Sequence, residues 1–265
     1  MIIKEKCKSY DYIIVGAGSA GCVLASRLSA NNKIKVLLIE AGNTDKHPYL
    51  FKMPVAMVEA FNNPKYDWMY KSDPEPNMNN RRLLYPRGYV LGGSSSINSM
   101  VHLRGNPEDY ENWASQGLDN WSWAHCLPYF KKLETNHRGG DEYRGGDGPI
   151  QVTLGPCKNP LYKAYLKAGI EAGFPMTHDV NGFKQEGVSR FDMTIGNGER
   201  SSTSAAYLRP ALGRSNLDVI TNSHVRQVKF ENGNAIGVIC EHNKEIVFIR
   251  ANTEVILCGG AINSP

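Results

Sequence analysis

No apolar run in the 265 residues is long enough to span a bilayer as a helix, and the start, Met1 to Tyr10, has three lysines but no apolar core of signal-peptide length. The expectation is a soluble, cytoplasmic chain, with peripheral association at the inner membrane left open. Cysteine is sparse: Cys7, Cys22, Cys126, Cys157, Cys240 and Cys258 form no CxxC pair and no metal spacing. They are expected to be reduced, mostly buried small residues, and no metal is expected. Basic residues cluster no further than pairs such as Arg81-Arg82 and Lys131-Lys132, and the formal net charge is only +4. That dispersal argues against a nucleic-acid partner. At this length the chain holds one large domain or two small ones.

What is present is concentrated near the start. Tyr12 to Val15 is a short apolar, β-branched run that stops at Gly16, which predicts a buried parallel strand. Gly16-Ala17-Gly18-Ser19-Ala20-Gly21 follows, then a helical stretch, then the apolar run Val36 to Ile39, closed by Glu40 and Ala41. Gly16 suits the tight turn, Gly18 the close approach of a pyrophosphate, and Gly21 the packing of helix on strand. The helix start offers free N–H groups and a positive dipole end to phosphate. Glu40 stands about 20 residues past the glycines, where an acid hydrogen-bonds a ribose hydroxyl and disfavours a 2′-phosphate.

Asn43 to about Pro86 is rich in Pro, Asn and aromatics, and a long irregular stretch of this kind inside a domain is usually functional. Arg87 to Val101 then brings Gly92-Gly93-Ser94-Ser95-Ser96, a loop able to pass close to a ligand, with hydroxyls to cap a following helix. Asn106-Pro107-Glu108-Asp109 predicts a capped helix start, and Trp113, Trp121 and Trp123 are expected to be core or packing aromatics. Arg138 to Pro149, with five glycines, reads as a surface loop and a boundary. A strand at 151–154, a helix over 160–172 and a strand within 188–194 should follow. Ser201 to Leu208 is predicted helical, stopped by Pro210, and Leu217 to Thr221 is predicted as a strand. Strands are expected at 225–230, 235–241, 245–250 and 253–257. The last of these runs into Cys258-Gly259-Gly260-Ala261, where further chain is expected.

Three blocks, Asp11 to Gly42, Arg87 to Asn98 with its continuation His102 to Asn106, and Cys258 to Pro265, resemble the glucose-methanol-choline (GMC) family of FAD-dependent oxidoreductases. Asn79 to Arg82, Gly145 to Pro149 and Gln185 to Gly187 resemble its choline-oxidising branch. The resemblance implies an α/β fold: a discontinuous Rossmann-like FAD-binding domain (1–149 and 200–265) and a partial α+β substrate-binding domain begun by 150–199, the C-terminal half being absent. It implies noncovalent FAD, because Ile97 stands where some relatives carry a tethering histidine. The cofactor-binding residues would be Gly16, Gly18, Ser19, Ala20, Gly21, Glu40, Ala41, Val90, Gly92, Asn98, Met100, Val101, Val225 and Ala261. Val225 would hold adenine through its backbone, Ala261 would sit near the phosphates, and Asn98 would support the flavin side. The family's catalytic histidine has no counterpart among the seven histidines here, and His102 reads as structural. The implied reaction is oxidation of a small-molecule alcohol, choline to betaine aldehyde, by hydride transfer to flavin N5, with a quinone-linked chain or oxygen as electron acceptor. A hydroxynitrile-lyase-type enzyme and a non-catalytic FAD-binding fragment are the alternatives.

Overall fold

The computed structural model describes residues 4–5 and 8–265, so Cys7 lies outside it. Two compact units form, residues 1–99 with 202–265, and residues 100–201. The first is built on β1 (Tyr10–Val15), helix α1 (Ser19–Leu28), β2 (Val36–Ile39), β3 (Leu217–Ile220), β4 (Ser223–Glu231), β5 (Asn234–His242) and β6 (Glu245–Leu257). Its seven-stranded sheet runs in the order β3-β2-β1-β6-β5-β4, with Lys4–Glu5 added alongside β6. The β3-β2-β1-β6 part is parallel and the β6-β5-β4 part antiparallel.

Why residues 12–15 of β1 and the whole of β2 are apolar follows from period-2 alternation with both faces covered. Ile14, Val36 and Leu38 face a cluster with Cys22 and Ala25 of α1 and with Leu208 and Ala211. Ile13, Leu37 and Ile39 face the opposite way, onto Val238, Cys240, Val247 and Ile249.

Two expectations for this unit are corrected. Residues 245–257 are one 13-residue strand, because an irregularity between Ala251 and Glu254 lets β6 pair antiparallel with β5 at one end and parallel with β1 at the other. Pro210 does not stop a helix: Ser204–Leu208 forms a wide π turn and Arg209–Ala211 restarts as α-helix with Pro210 in its first turn. The wider turn accommodates a residue that cannot donate the i→i−4 bond. Of the cysteines, Cys22 and Cys240 are buried, while Cys126, Cys157 and Cys258 are partly exposed.

The second unit holds α2 (Pro107–Ser115), α3 (Trp123–Leu133), α4 (Pro160–Glu171) and a four-stranded sheet of Val101–His102, Asp192–Met193, Ile150–Leu154 and Glu134–Asn136, in that order. The pairings 101–193 and 134–150 are why residues 100–149, expected with the cofactor domain, pack instead with the 150–199 segment. Helix α2 starts as its sequence dictates: the Asn106 side chain accepts from Glu108 N–H at 2.9 Å and Asp109 accepts from Asn106 N–H at 3.0 Å. The strand expected within 188–194 shrinks to Asp192–Met193.

The surface-loop reading of 138–149 is overturned at Arg144, which is 1% exposed. The fully buried Glu134 carboxylate accepts from Arg104 Nη2 at 2.8 Å, Arg144 Nε at 2.8 Å and Gly145 N–H at 3.0 Å, and it meets His102 Nε2 at 2.7 Å. Arg144 reaches on to Asp179 at 2.7 Å and Asp192 at 2.8 Å. Charge pairing folds this glycine-rich segment inward, since a buried carboxylate and guanidinium are tolerable only together. Trp113 and Trp121 pack ring to ring at 6.0 Å, as expected of packing aromatics, but at the surface: they are 44% and 54% exposed.

Candidate functional site

The first unit carries a cleft of about 610 Å³ at the carboxyl ends of β1, β2 and β6, beside the start of β4. A cleft there is the usual ligand position of an open α/β sheet, and its volume falls in the range of about 300–1,000 Å³ common to ligand pockets.

The glycine turn is built backbone on backbone. Gly16 adopts φ +99° and donates its N–H to Ile39 O at 2.8 Å; a Cβ on it would lie 2.5 Å from Cys258 O. A Cβ on Gly21 would lie 1.9 Å from Gly16 O, so α1 seats directly on the turn only because both positions are bare. Gly18 differs: nothing lies within 4 Å of its would-be Cβ, and that open space faces the cleft. It is a cradle that a side chain would fill.

Glu40 is 5% exposed at the end of β2, and its two oxygens accept from Ala17 N–H at 2.8 Å and Gly42 N–H at 2.9 Å. Burial pushes its carboxyl up from 4.5 to about 7, against the pull of those two N–H groups. Each oxygen retains a second lone pair for a hydroxyl in the cleft. Trp68 forms an aromatic wall, stacked on Tyr70 at 5.8 Å and edge-on to Tyr89 and His224 at 4.6 and 5.7 Å. It is held there because buried Asp67 accepts from Met69 and Arg87 N–H at 2.9 and 3.1 Å. Tyr70 OH donates to Asn263 Oδ1 at 2.7 Å, tying the wall to the Leu257–Ser264 rim.

Of the residues singled out from sequence, Gly16, Gly18, Ser19, Ala20, Glu40, Ala41, Val225 and Ala261 line this cleft. Gly21 lies beneath it as packing. Val90 is fully buried among Leu50, Phe51, Tyr66 and Ile97. Gly92, at φ +85°, braces the turn by donating to Ala17 O at 2.8 Å. Asn98 is exposed and donates its N–H to Ser94 O at 2.9 Å, and Ile97 is 2% exposed in the core. Met100 and Val101 belong to the second unit, the former buried at φ +63°, the latter 44% exposed. The glycine-serine segment lends the cleft wall Arg87, Gly88, Gly93 and Ser94 instead, and Gly93–Ser96 is a short 3₁₀ turn with no helix after it to cap. Trp68, Tyr70, Ser223 and His224 were not singled out as site residues. The only sequence signal of Trp68 and Tyr70 is aromatic content in an irregular stretch, which carries no periodicity, and Ser223 and His224 open β4 with no such signal. His102 sits in the second unit, paired with Glu134.

A family model described as GMC oxidoreductase matches residues 10–265. The chain is 49% identical over 267 residues to the oxygen-dependent choline dehydrogenases of Staphylococcus aureus strains JH9 and Newman, covering 99% of this chain and 47% of each relative. It therefore spans about half the length of the curated relatives it matches. Among solved structures, pyridoxine 4-oxidase from Mesorbium loti superposes with a TM-score of 0.91 at 33% identity, over 97% of this chain and 50% of that one. An FAD-dependent oxidoreductase from Chaetomium thermophilum gives 0.85 at 29% identity, over 94% and 45%.

Proposed function

Because the chain belongs to the GMC oxidoreductase family, we propose that it is the cofactor-holding part of an FAD-dependent alcohol oxidoreductase, with choline as substrate, betaine aldehyde as product and oxygen as electron acceptor. The observation that carries this is the cleft itself: an open Gly18 cradle and a buried Glu40 carboxylate on one ligand-sized wall. The names of the Staphylococcus aureus relatives support choline and oxygen. Among the described residues no helix is long and apolar enough to cross a membrane.

The residues present fit FAD. Gly18 and the first N–H groups of α1 would take the pyrophosphate, and Glu40 would accept from a ribose hydroxyl. Val225 would meet adenine through its backbone, with Trp68 supplying an apolar wall, and Ala261 would stand near the phosphates. Asn98 stays in the reading as flavin-side support, and Ile97 excludes a histidyl tether. When bound, flavin supplies a hydride acceptor at N5. This chain's share of the reaction is to hold, orient and partly shield that group. No histidine here is assigned to take the alcohol proton: His102 is engaged by Glu134, and His224 packs edge-on to the Trp68 wall.

The test is the visible spectrum of the purified chain after loading with FAD, removing excess and adding choline without oxygen. Retained flavin that choline does not bleach is the expected result. A chain that retains no flavin would sink the proposal. Bleaching by choline would show that residues within this chain suffice for oxidation.

A further inference from the structure

The cleft wall carries a single cationic side chain among the described residues, Arg87, and no lysine. His224, also on the wall, is held below its ordinary value by burial and by Arg226, so it adds no positive charge at neutral pH. Resting on the dinucleotide reading above, we propose that Arg87 is the counter-cation of the pyrophosphate and makes the cleft select ligands that bear a diphosphate.

Backbone packing places Arg87 at the phosphate end. A Cβ on Gly93 would lie 2.7 Å from Gly18 Cα, and one on Gly88 would lie 2.2 Å from the Gly93 carbonyl. Gly18, Gly93 and Gly88 are thus stacked without side chains between them, and Arg87 directly precedes the last of the three. The backbone of Arg87 is pinned: its N–H donates to the buried Asp67 carboxylate at 3.1 Å and its carbonyl accepts from Trp68 N–H at 2.9 Å. The side chain itself is exposed, with Nη1 donating to Pro86 O at 2.7 Å. A guanidinium has five donors in a planar fork matched to phosphate oxygens, so one carbonyl leaves most of that capacity for an anion. Fixed backbone and exposed head group together describe a charge that reaches a ligand without the wall moving.

The experiment measures ADP and adenosine affinities of the unaltered chain, Arg87→Ala and Arg87→Lys by titration calorimetry, with thermal melts to confirm folding. Arg87→Ala is expected to weaken ADP by about 10- to 100-fold and adenosine by less than about twofold. Arg87→Lys should recover part of the loss, since charge returns without the fork. In the unaltered chain, raising salt from about 50 to about 500 mM should weaken ADP but not adenosine, and Arg87→Ala should flatten that slope. Equal losses of ADP and adenosine in Arg87→Ala, or ADP affinity unchanged, overturn the inference while leaving the cleft as a nucleotide site. An unaltered chain that binds neither ligand overturns the dinucleotide reading, and this inference with it.

Discussion

Replacing Glu40 with Gln should remove a loss of stability that the ligand-free chain suffers as pH rises, while weakening its hold on a ribose. Burial moves the Glu40 carboxyl from 4.5 to about 7, which corresponds to about 3 kcal/mol. The folded state binds the proton more tightly than the unfolded chain, so the carboxyl's contribution to stability is full below about pH 4.5 and is lost as pH rises through about 7. Gln keeps the volume and does not titrate, but its amide NH2 faces one of the two N–H groups that Glu40 accepts from, a pH-independent cost of about 1–3 kcal/mol. Relative to its difference from the unaltered chain near pH 4, Glu40→Gln should therefore gain about 3 kcal/mol by pH 8. Hydrogen exchange of peptides covering residues 10–42, corrected for intrinsic rates, isolates the first unit from the second. A difference between the two chains that is the same at both pH values, or that moves against Glu40→Gln as pH rises, would refute the reasoning. The same variant should bind adenosine more weakly, because one oxygen that accepts is replaced by an amide that donates. A buried carboxylate kept at a cost in stability is what a ligand contact predicts and a packing role does not.

The glycines of the turn should separate by role. Gly21→Ala puts a methyl into the Gly16 carbonyl at 1.9 Å and should cost about 1–3 kcal/mol in thermal stability. Gly18→Ala meets open space, so it should cost less than about 1 kcal/mol yet lower FAD retention measured by absorbance after gel filtration. In the second unit, Glu134→Gln leaves buried Arg104 without its carboxylate and Arg144 with only Asp179 and Asp192, and should cost about 3–5 kcal/mol, read by tryptophan fluorescence in urea because Trp113, Trp121 and Trp123 lie there. Burial alone would raise the Glu134 carboxyl, but the hydrogen bonds from His102, Arg144 and Gly145 N–H hold it at about 2. Its contribution is therefore present above about pH 4.5 and lost as pH falls towards 2, and acid unfolding of the second unit should begin in that window. A Glu134→Gln acid profile identical to that of the unaltered chain would show that another group controls it.

Local chemistry made the β1-turn-α1-β2 unit legible in sequence. Strand period, three glycines and a terminal acid are all encoded within about 30 residues, the span of a βαβ unit. The cap of α2 was legible for the same reason: Asn106 acts within three residues of itself. The joining of 245–257 into one strand was not, because its two halves are specified by different partners, β5 and β1. Nor was the inward turn of Arg144, since its carboxylates, Glu134, Asp179 and Asp192, are spread across the unit.

By itself the sequence determined a strand, a glycine turn, a helix and a second strand answered by Glu40, because a short loop's backbone freedom and a strand's burial are properties of neighbouring residues. Only the tertiary structure decided who shares the cleft wall with them. Trp68, Arg87, His224 and the Leu257–Ser264 rim reach it through strand pairing and glycine-on-glycine contact between segments far apart in the chain. Val90 and Gly92 passed in the same way from the wall to its support. Which residue of a close-packed loop faces the ligand is fixed by what lies behind it, and no local pattern records that.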